Sequence, residues 1–329
     1  MSLDTFNVTR PAQKQGAGDP LALIIEEFGG MVEGTLQRRS VTTGMINVKQ
    51  VKGTATVSNF AIGESDLQVI VPGTTPNGTG SQFSKNSVTV DRTILARATL
   101  PMLDVFQTSY DARKEIATEH GKKIAKFKDQ AFLIMALKTA QLTVNPYGVL
   151  PGHAAGTVVT LALAADATDP AKLYSAFASL FAQMMEKDVD PTADDVFVFV
   201  RPQTFFALQE AEQVINGNYV TSDGTNIKAH IYTAWGVPVI PTSNLPNWQE
   251  DAINRPKGVA VLMGADYEGD FRKVVAVAFS TRAILAGSTI DLETKVFFDD
   301  VSKSWYVDAW LAFASASNRA EYAGVILAP

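Results

Sequence analysis

The longest periodic pattern of apolar positions in this chain runs from about Thr108 to Gln141. One face of that segment carries Tyr110, Ala117, Ile124 and Ala131 at intervals of seven, with His120, Phe127 and Ile134 on the adjoining rows. The next proline is Pro146. The spacing predicts one helix of roughly 30 residues, or about 45 Å at 1.5 Å per residue.

The two ends of this predicted helix differ in polarity. Its first two thirds are charged away from the stripe, whereas Ala131 to Leu137 is apolar on all sides. A helix that is apolar all round is buried, and one with a single apolar stripe lies at a surface. We therefore expect a helix whose first part faces solvent and whose last part lies in a core.

The segment from Val41 to about Leu100 predicts a strand, a turn and a strand, and its returning side alternates cleanly between apolar and polar residues. The outgoing side carries Ile46, Val48 and Val57, and the returning side carries Val88, Val90, Ile94, Ala96, Ala98 and Leu100. The segment from Pro72 to Gly80 between them contains only turn-forming residue types. These patterns predict one long β-hairpin with a flexible tip. A lone hairpin is marginal in water, so its apolar side should pack on another surface.

Helices and strands are predicted to alternate over residues 157–285, which indicates an α/β domain with its own core. The expected elements are a strand over Thr157–Leu163, a helix opened by Asp169 and Pro170, a strand over Val196–Val200, a helix from Pro202 to Gly217, and strands over Val237–Ile240, Val259–Met263 and Val274–Phe279.

The two ends of the chain complete the predicted order of elements. Residues 1–18 show no periodicity and predict an extended arm, followed by a short helix from Asp19 to Gly29. After residue 285, alternation over 290–298 and 305–313 predicts a second hairpin with a turn at Asp299–Ser304, and 323–328 predicts a final strand.

Composition limits the classes of function. The 329 residues carry a net charge of −6, which argues against broad binding of nucleic acid or of an anionic membrane. There are no cysteines, so disulfides and thiolate chemistry are excluded. With neither a signal-peptide pattern nor a long apolar run, we expect a soluble protein that is not exported by that route.

No catalytic, cofactor-binding or metal-binding motif is present in the sequence, so we expect no enzymatic activity, no cofactor and no metal. The three histidines, His120, His153 and His230, are far apart. His120 lies on the helix stripe, where a packing role is expected. The acidic pairs at 26–27, 194–195 and 299–300 fall at a helix end, a strand entry and a turn, which are ordinary solvated positions.

This order of elements resembles the Hong Kong 97-type fold of tailed-phage major capsid proteins, an α+β fold with an N-arm, an E-loop hairpin, a spine helix, a P-domain with long strands and an A-domain. Several stretches look similar to the capsid proteins of autographivirus-like podoviruses: the Asp169–Pro170 helix, VFVFVRPQTFFAL at 196–208, GVPVIPTSNLP at 236–246 and NRAEYAGVILAP at 318–329. The resemblance implies an N-terminal arm over 1–40, an E-loop hairpin over 41–100, a P-domain over 101–156 and 286–322, and an A-domain over 157–285 and 323–329.

The resemblance implies a protein that self-assembles through hexamers and pentamers into an icosahedral shell around phage dsDNA, without sequence-specific binding and without a membrane. It also implies scaffolding and portal partners, assembly in the host cytoplasm and a place in the virion. The hairpin tip suggests inter-subunit contacts at Thr74, Pro76, Asn77 and Lys85. Two alternatives stay open: the shell of an encapsulin-like compartment, and a small-molecule enzyme that uses the 157–285 domain.

Overall fold

The structure, a computed structural model, describes residues 41–42, 44–69, 72–73, 75, 78, 80–102, 112–209 and 232–329. The predicted arm and first short helix lie outside the described residues, as do Thr108–Asp111 and the part of the predicted helix from residue 210 to Gly217. The helices are α1 (Ala112–Ala140), α2 (Pro170–Met185), α3 (Pro202–Gln209) and α4 (Val259–Met263).

The strands mix a few long ones with many short ones. They are β1 (Val48–Gln50), β2 (Thr56–Ile62), β3 (Phe83–Thr89), β4 (Ile94–Pro101), β5 (Thr157–Thr160), β6 (Val196–Val200), β7 (Tyr232–Ala234), β8 (Val237–Pro241), β9 (Gln249–Glu250), β10 (Gly269–Asp270), β11 (Val274–Ser280), β12 (Ile284–Asp299), β13 (Ser304–Ser317) and β14 (Ala323–Leu327).

The chain divides into two compact units, and neither is a single stretch of sequence. One comprises Met1–Arg39, Thr93–Lys126 and Ile290–Leu311, and the other comprises Ser40–Arg92, Phe127–Thr289 and Ala312–Pro329. The four domains expected from the resemblance are not tested by this division and stay a prediction.

In the first unit, β4 pairs antiparallel with the first half of β13, from Ser304 to Leu311. Arg97 on β4 donates from Nε and Nη2 to the two carboxylate oxygens of Asp308, at 2.8 and 2.7 Å. The Asp308 carboxylate raises the pKa of the Arg97 guanidinium through these hydrogen bonds. Because Asp308 is buried and Arg97 is half exposed, the pair satisfies a carboxylate that would otherwise lack a partner across the strands.

The core of the second unit is a six-stranded sheet in the order β5-β14-β11-β6-β8-β7. Every residue of β11 is buried, as expected for a central strand with both faces covered. Helix α2 packs on β5 and β14 with Leu173, Phe177, Leu180 and Met184, all with no exposed surface. Asp169 caps this helix by accepting hydrogen bonds from the backbone N–H groups of Ala171 and Lys172.

The apolar end of α1 belongs to this same unit, and Ala131 to Leu137 is buried as predicted. Asp129, fully buried on α1, accepts hydrogen bonds from the backbone N–H of Val41 at 2.9 Å and from the Thr42 hydroxyl at 2.5 Å. It also accepts one from the Asn244 side-chain amide at 3.2 Å. One carboxylate thus joins the helix to the start of the hairpin segment and to the loop after β8.

Two sequence predictions about strands are wrong. Val259–Met263 is helix α4, not a strand, because a five-residue apolar run does not distinguish the two by periodicity. The backbone N–H of Ala260, in its first turn, donates to the buried Glu250 carboxylate at 3.2 Å, and Gly264 ends the helix at a φ of 113°. The strand predicted over Thr157–Leu163 ends at Thr160, and a 3-10 turn over Ala164–Ala167 follows it.

The prediction that the returning side of the hairpin runs as one strand from Val88 to Leu100 is also wrong. It is interrupted after Val90, so β3 and β4 are separate strands in different units, and only β3 pairs with β2. The partner of β4 is β13, roughly 200 residues further along the chain. Alternation of polarity identifies a strand but does not identify the strand it pairs with.

Gly156 lies in the segment that follows α1, where the backbone passes close to the last turn of that helix. A Cβ at Gly156 would lie 2.2 Å from the carbonyl oxygen of Ala140, which is backbone and cannot move aside cheaply. We predict that Gly156→Ala lowers the free energy of unfolding by about 2 kcal/mol or more, as overpacking does. Denaturant unfolding of the unassembled subunit measures this loss.

Gly78→Ala is the matched control, because nothing lies within 4 Å of a Cβ at Gly78. Its free energy of unfolding should stay within about 0.5 kcal/mol of the parent value. Equal losses in the two variants would contradict a steric role for Gly156.

Candidate functional site

The β2–β3 hairpin has two different faces. In its register Val57 pairs with Val88, Asn59 with Asn86, and Ala61 with Ser84, and these pairs share one face because side chains alternate along a strand. The other face carries Phe60 opposite Lys85 and Ile62 opposite Phe83. We call these the inner face and the outer face.

The inner face is fixed to the rest of its unit. Ala61 packs against Tyr147 and Leu150, and Val57 and Val88 are buried. The Asn59 side-chain amide donates to the Tyr147 hydroxyl at 2.9 Å and to Asn318 Oδ1 at 3.1 Å, and the Tyr147 hydroxyl donates to the same Asn318 oxygen at 2.5 Å. These three side chains, which we call the Asn59–Tyr147–Asn318 triangle, tie the hairpin to two distant parts of the sequence.

Burial raises the pKa of Tyr147, which keeps its hydroxyl protonated and able to donate. The hydrogen bond from Asn59 and the positive charge of Arg319 act in the opposite direction. A second asparagine of the inner face, Asn86, donates to the backbone carbonyl of Ser317 at 2.6 Å. Polar contacts as well as apolar burial therefore hold this face.

The end of the hairpin that leads into the 63–82 segment is held by the loop after α1. The backbone N–H of Glu64 donates to the Pro151 carbonyl at 2.9 Å, and a ring nitrogen of His153 lies 3.2 Å from the Ile62 carbonyl. The other ring nitrogen of His153 is 3.4 Å from the Glu321 carboxylate, and both of these side chains are buried. Glu321 in turn accepts from the Asn145 amide at 2.5 Å, so the loop itself is anchored.

The outer face is uncovered in this chain. Phe60, Ile62 and Phe83 are 70, 56 and 69% exposed, and Leu67 and Val69, in the extended segment after β2, are 99 and 91% exposed. Large apolar side chains grouped in this way on a rigid support mark an interaction surface. This exposed strip is the candidate functional site.

The predicted contact residues fall in two places. Thr74, Pro76 and Asn77 lie outside the described residues. Lys85 is exposed on the outer face, with its ammonium 5.7 Å from the centre of the Phe60 ring. Its role in a contact stays a prediction.

Within the described ranges there is no group of three or more His, Asp or Glu side chains that could hold a metal ion. In the same ranges no helix is long and apolar enough to cross a membrane. Burial lowers the pKa of His120 on α1, an effect that disfavours the charged form of its ring. The packing role expected for it stays a prediction.

Sequence reasoning missed the triangle. Asn59, Tyr147 and Asn318 are far apart in sequence and match no motif. One signal was available: Asn59 and Asn86 occupy inward positions of alternating strands, where an apolar residue is the rule, and a buried amide needs a hydrogen-bond partner.

Comparison with known proteins identifies the family. Residues 85–293, more than half of the chain, match the family model described as Gp10A-like major capsid protein. The chain belongs to this family of major capsid proteins. Membership confirms the family expected from the resemblance.

Two of the relatives are major capsid proteins of phages. The major capsid protein of Escherichia phage T7 is 24% identical over 209 residues, covering 62% of this chain and 60% of the T7 protein. That of Enterobacteria phage T3 is 24% identical over 221 residues, covering 64% of this chain and 62% of the T3 protein. The matches therefore span about three fifths of the length of these relatives, and they fit the expected autographivirus-like branch.

Solved structures agree over nearly the whole chain. The capsid structure of cyanophage P-SCSP1u has a TM-score of 0.78 at 18% identity and covers 98% of both chains. The mature capsid of bacteriophage PhiM1 has a TM-score of 0.75 at 20% identity, covering 92% of this chain and 91% of its own. These likenesses confirm the Hong Kong 97-type α+β fold.

Removal of the Tyr147 hydroxyl tests whether the triangle holds the hairpin in place. Tyr147→Phe leaves the ring in place but removes the hydroxyl that Asn59 and Asn318 share. We expect a loss of about 1 kcal/mol in the free energy that holds the hairpin, and faster amide hydrogen exchange in β2 and β3 than in β11.

Tyr174→Phe is the control, because the Tyr174 ring stacks on Trp235 and its hydroxyl has no hydrogen bond to a described residue. This variant should leave exchange in the hairpin unchanged. If Tyr147→Phe also leaves it unchanged, the triangle does not hold the hairpin.

Proposed function

We propose that this protein is the shell subunit of a tailed phage, and that its copies assemble through hexamers and pentamers into an icosahedral capsid around dsDNA. The observation that supports the proposal most directly is the uncovered outer face of the hairpin in a chain of the major capsid protein family. Head-to-tail contacts between identical subunits form closed rings, and such rings can tile a shell.

The physical argument starts from the hairpin. Its inner face is satisfied within the chain, whereas its outer face leaves Phe60, Ile62 and Phe83 in water. Burial of apolar surface contributes about 25 cal/mol per Å², so a second copy that covers this strip gains affinity. Obligate interfaces bury on the order of 2,000–5,000 Å², and the strip would be one part of such an area.

The role proposed for the subunit is structural and not enzymatic, with no cofactor. Its location is the virion, after assembly in the host cytoplasm, with a scaffolding protein and a portal protein as further partners. The net charge of −6 suits a container whose wall does not need to bind the genome tightly. The two alternatives, an encapsulin-like compartment and a small-molecule enzyme, are not favoured by relatives that are phage capsid proteins.

Substitution of Phe60 tests whether the exposed strip contributes to assembly. Phe60→Ser should leave the free energy of unfolding of the subunit within about 0.5 kcal/mol, because the side chain is mostly exposed. It should impair assembly, which light scattering and electron microscopy measure. Phe60→Leu keeps an apolar side chain at the same position and should assemble close to normally. If Phe60→Ser forms shells as readily as the parent, the strip is not an assembly contact.

The hairpin tip is tested separately by removing residues 73–80. We expect this deletion to give a folded subunit with impaired assembly, since the tip lies beyond the strands that pack on the unit. Circular dichroism checks the fold, and microscopy counts the particles. Normal shells from the deletion variant would argue against contacts at Thr74, Pro76 and Asn77.

A further inference from the structure

A cleft of ≈ 410 Å³ opens beside the inner face of the hairpin, within the second unit. The polar residues that line it are Asn47, Lys49, Asn59, Thr281, Arg282, Asn318 and Arg319. Two of them, Asn59 and Asn318, belong to the triangle. The cleft is therefore built on the same contacts that fix the hairpin.

Two of the three asparagine amides that line the cleft are already engaged. Asn59 donates to Tyr147 and Asn318, and the Asn318 side-chain amide donates to the backbone carbonyl of Arg282 at 2.8 Å. Their hydrogen bonds make this wall rigid. The charged groups left to bind a ligand are the cations, and the Asn47 amide and the Thr281 hydroxyl lie beside them.

Three cations line this cleft in a protein of net charge −6. Arg282 pairs with Asp194 at 3.0 Å, but in the described part of the chain no carboxylate pairs with Lys49 or Arg319. A concave surface with an excess of one charge concentrates ions of the opposite charge. The cleft has the electrostatics of an anion site.

Tyr322 positions the two guanidinium groups. The central carbon of Arg282 lies 5.5 Å from the centre of the Tyr322 ring, and that of Arg319 lies 6.0 Å from it. A hydrogen bond from Arg282 to the Tyr322 hydroxyl raises the pKa of this arginine. Guanidinium groups held in this way lose less conformational entropy when they bind, and their planar donors match a carboxylate.

We propose that this cleft binds a carboxylate side chain from a second copy of the chain. The inference rests on the proposed function, because assembly is what brings another copy to the cleft. Each copy carries 34 Asp and Glu residues against 28 Lys and Arg, so carboxylates outnumber cations among the charged groups that a second copy can offer. Charge complementarity of this kind fixes the register between subunits more than it adds raw affinity.

Zero-length carbodiimide coupling tests the contact directly, since it joins an amine only to a carboxylate that touches it. Shells are assembled from an equal mixture of ¹⁵N-labelled and unlabelled subunits, coupled, digested and analysed by mass spectrometry. We expect Lys49 to be joined to an Asp or Glu peptide in pairs with one labelled and one unlabelled partner. Dilute unassembled subunits should not give this product.

Variants at Lys49 separate the charge from the coupling chemistry. Lys49→Arg keeps the charge and should assemble normally but lose the crosslink. Lys49→Gln should raise the protein concentration needed for half-assembly roughly fivefold, the size expected for one exposed ion pair. Lys52→Gln, an exposed lysine outside the cleft, is the matched control and should change neither quantity.

The outcomes that overturn the inference are distinct from failure of the proposed function. If the parent protein forms no shells under any condition, the proposed function fails and this inference fails with it. If shells form but Lys49 gives no mixed-label crosslink, or gives the same crosslink within single unassembled chains, the inference alone fails. If inorganic phosphate protects Lys49 from acetylation and assembly does not, the cleft is a free-anion site and the second copy is not its ligand.

Discussion

The shared oxygen of Asn318, which accepts from both Asn59 and Tyr147, is the contact on which the rest of the candidate surface depends. A two-stranded hairpin in water cannot hold its own orientation, because it has no second layer to bury its side chains. Here the loop after α1 and the segment after β13 supply the second layer, through hydrogen bonds and through apolar contacts such as that of Ala61. Those contacts decide which face of the hairpin is buried, and therefore which face presents Phe60, Ile62 and Phe83.

The same constraint links the hairpin to the proposed cleft. Asn59 and Asn318 form part of the cleft wall, so a change that loosens the hairpin also alters this wall. Buried polar networks of this sort are costly when they are incomplete, since each unpaired group loses its hydration. Within the described residues, all three hydrogen bonds of the Asn59–Tyr147–Asn318 triangle are formed. One small network therefore supports both the outer face of the hairpin and the wall of the cleft.

Much of the fold could be read from the sequence where local chemistry decides the structure. The seven-residue repeat through Ile124 and Ala131 specified α1, and Asp169 before Pro170 specified the start of α2. The uninterrupted apolar run at Val196–Val200 specified a central strand. In each case the residues that determine the element lie within it or next to it.

The parts that could not be read depend on partners far along the chain. Val259–Met263 is a helix because of Gly258 before it and the distant Glu250 carboxylate, neither of which its own apolar pattern includes. β4 pairs with β13 and not with the strand before it, which no alternation reveals. The cleft joins side chains near residues 49, 282 and 319, and only the folded backbone brings them together.

The position of β14 has a consequence for when this chain can fold. In the sheet it lies between β5 and β11, yet it is synthesised after every other strand of that sheet. Until it emerges from the ribosome, β5 has no partner in the sheet and one edge of β11 stays open, so the layer under α2 cannot close. Pairings over such sequence distances form slowly. A nascent chain that has not yet reached residues 323–327 therefore lacks a finished core, and this layer is the last part of the sheet that can close.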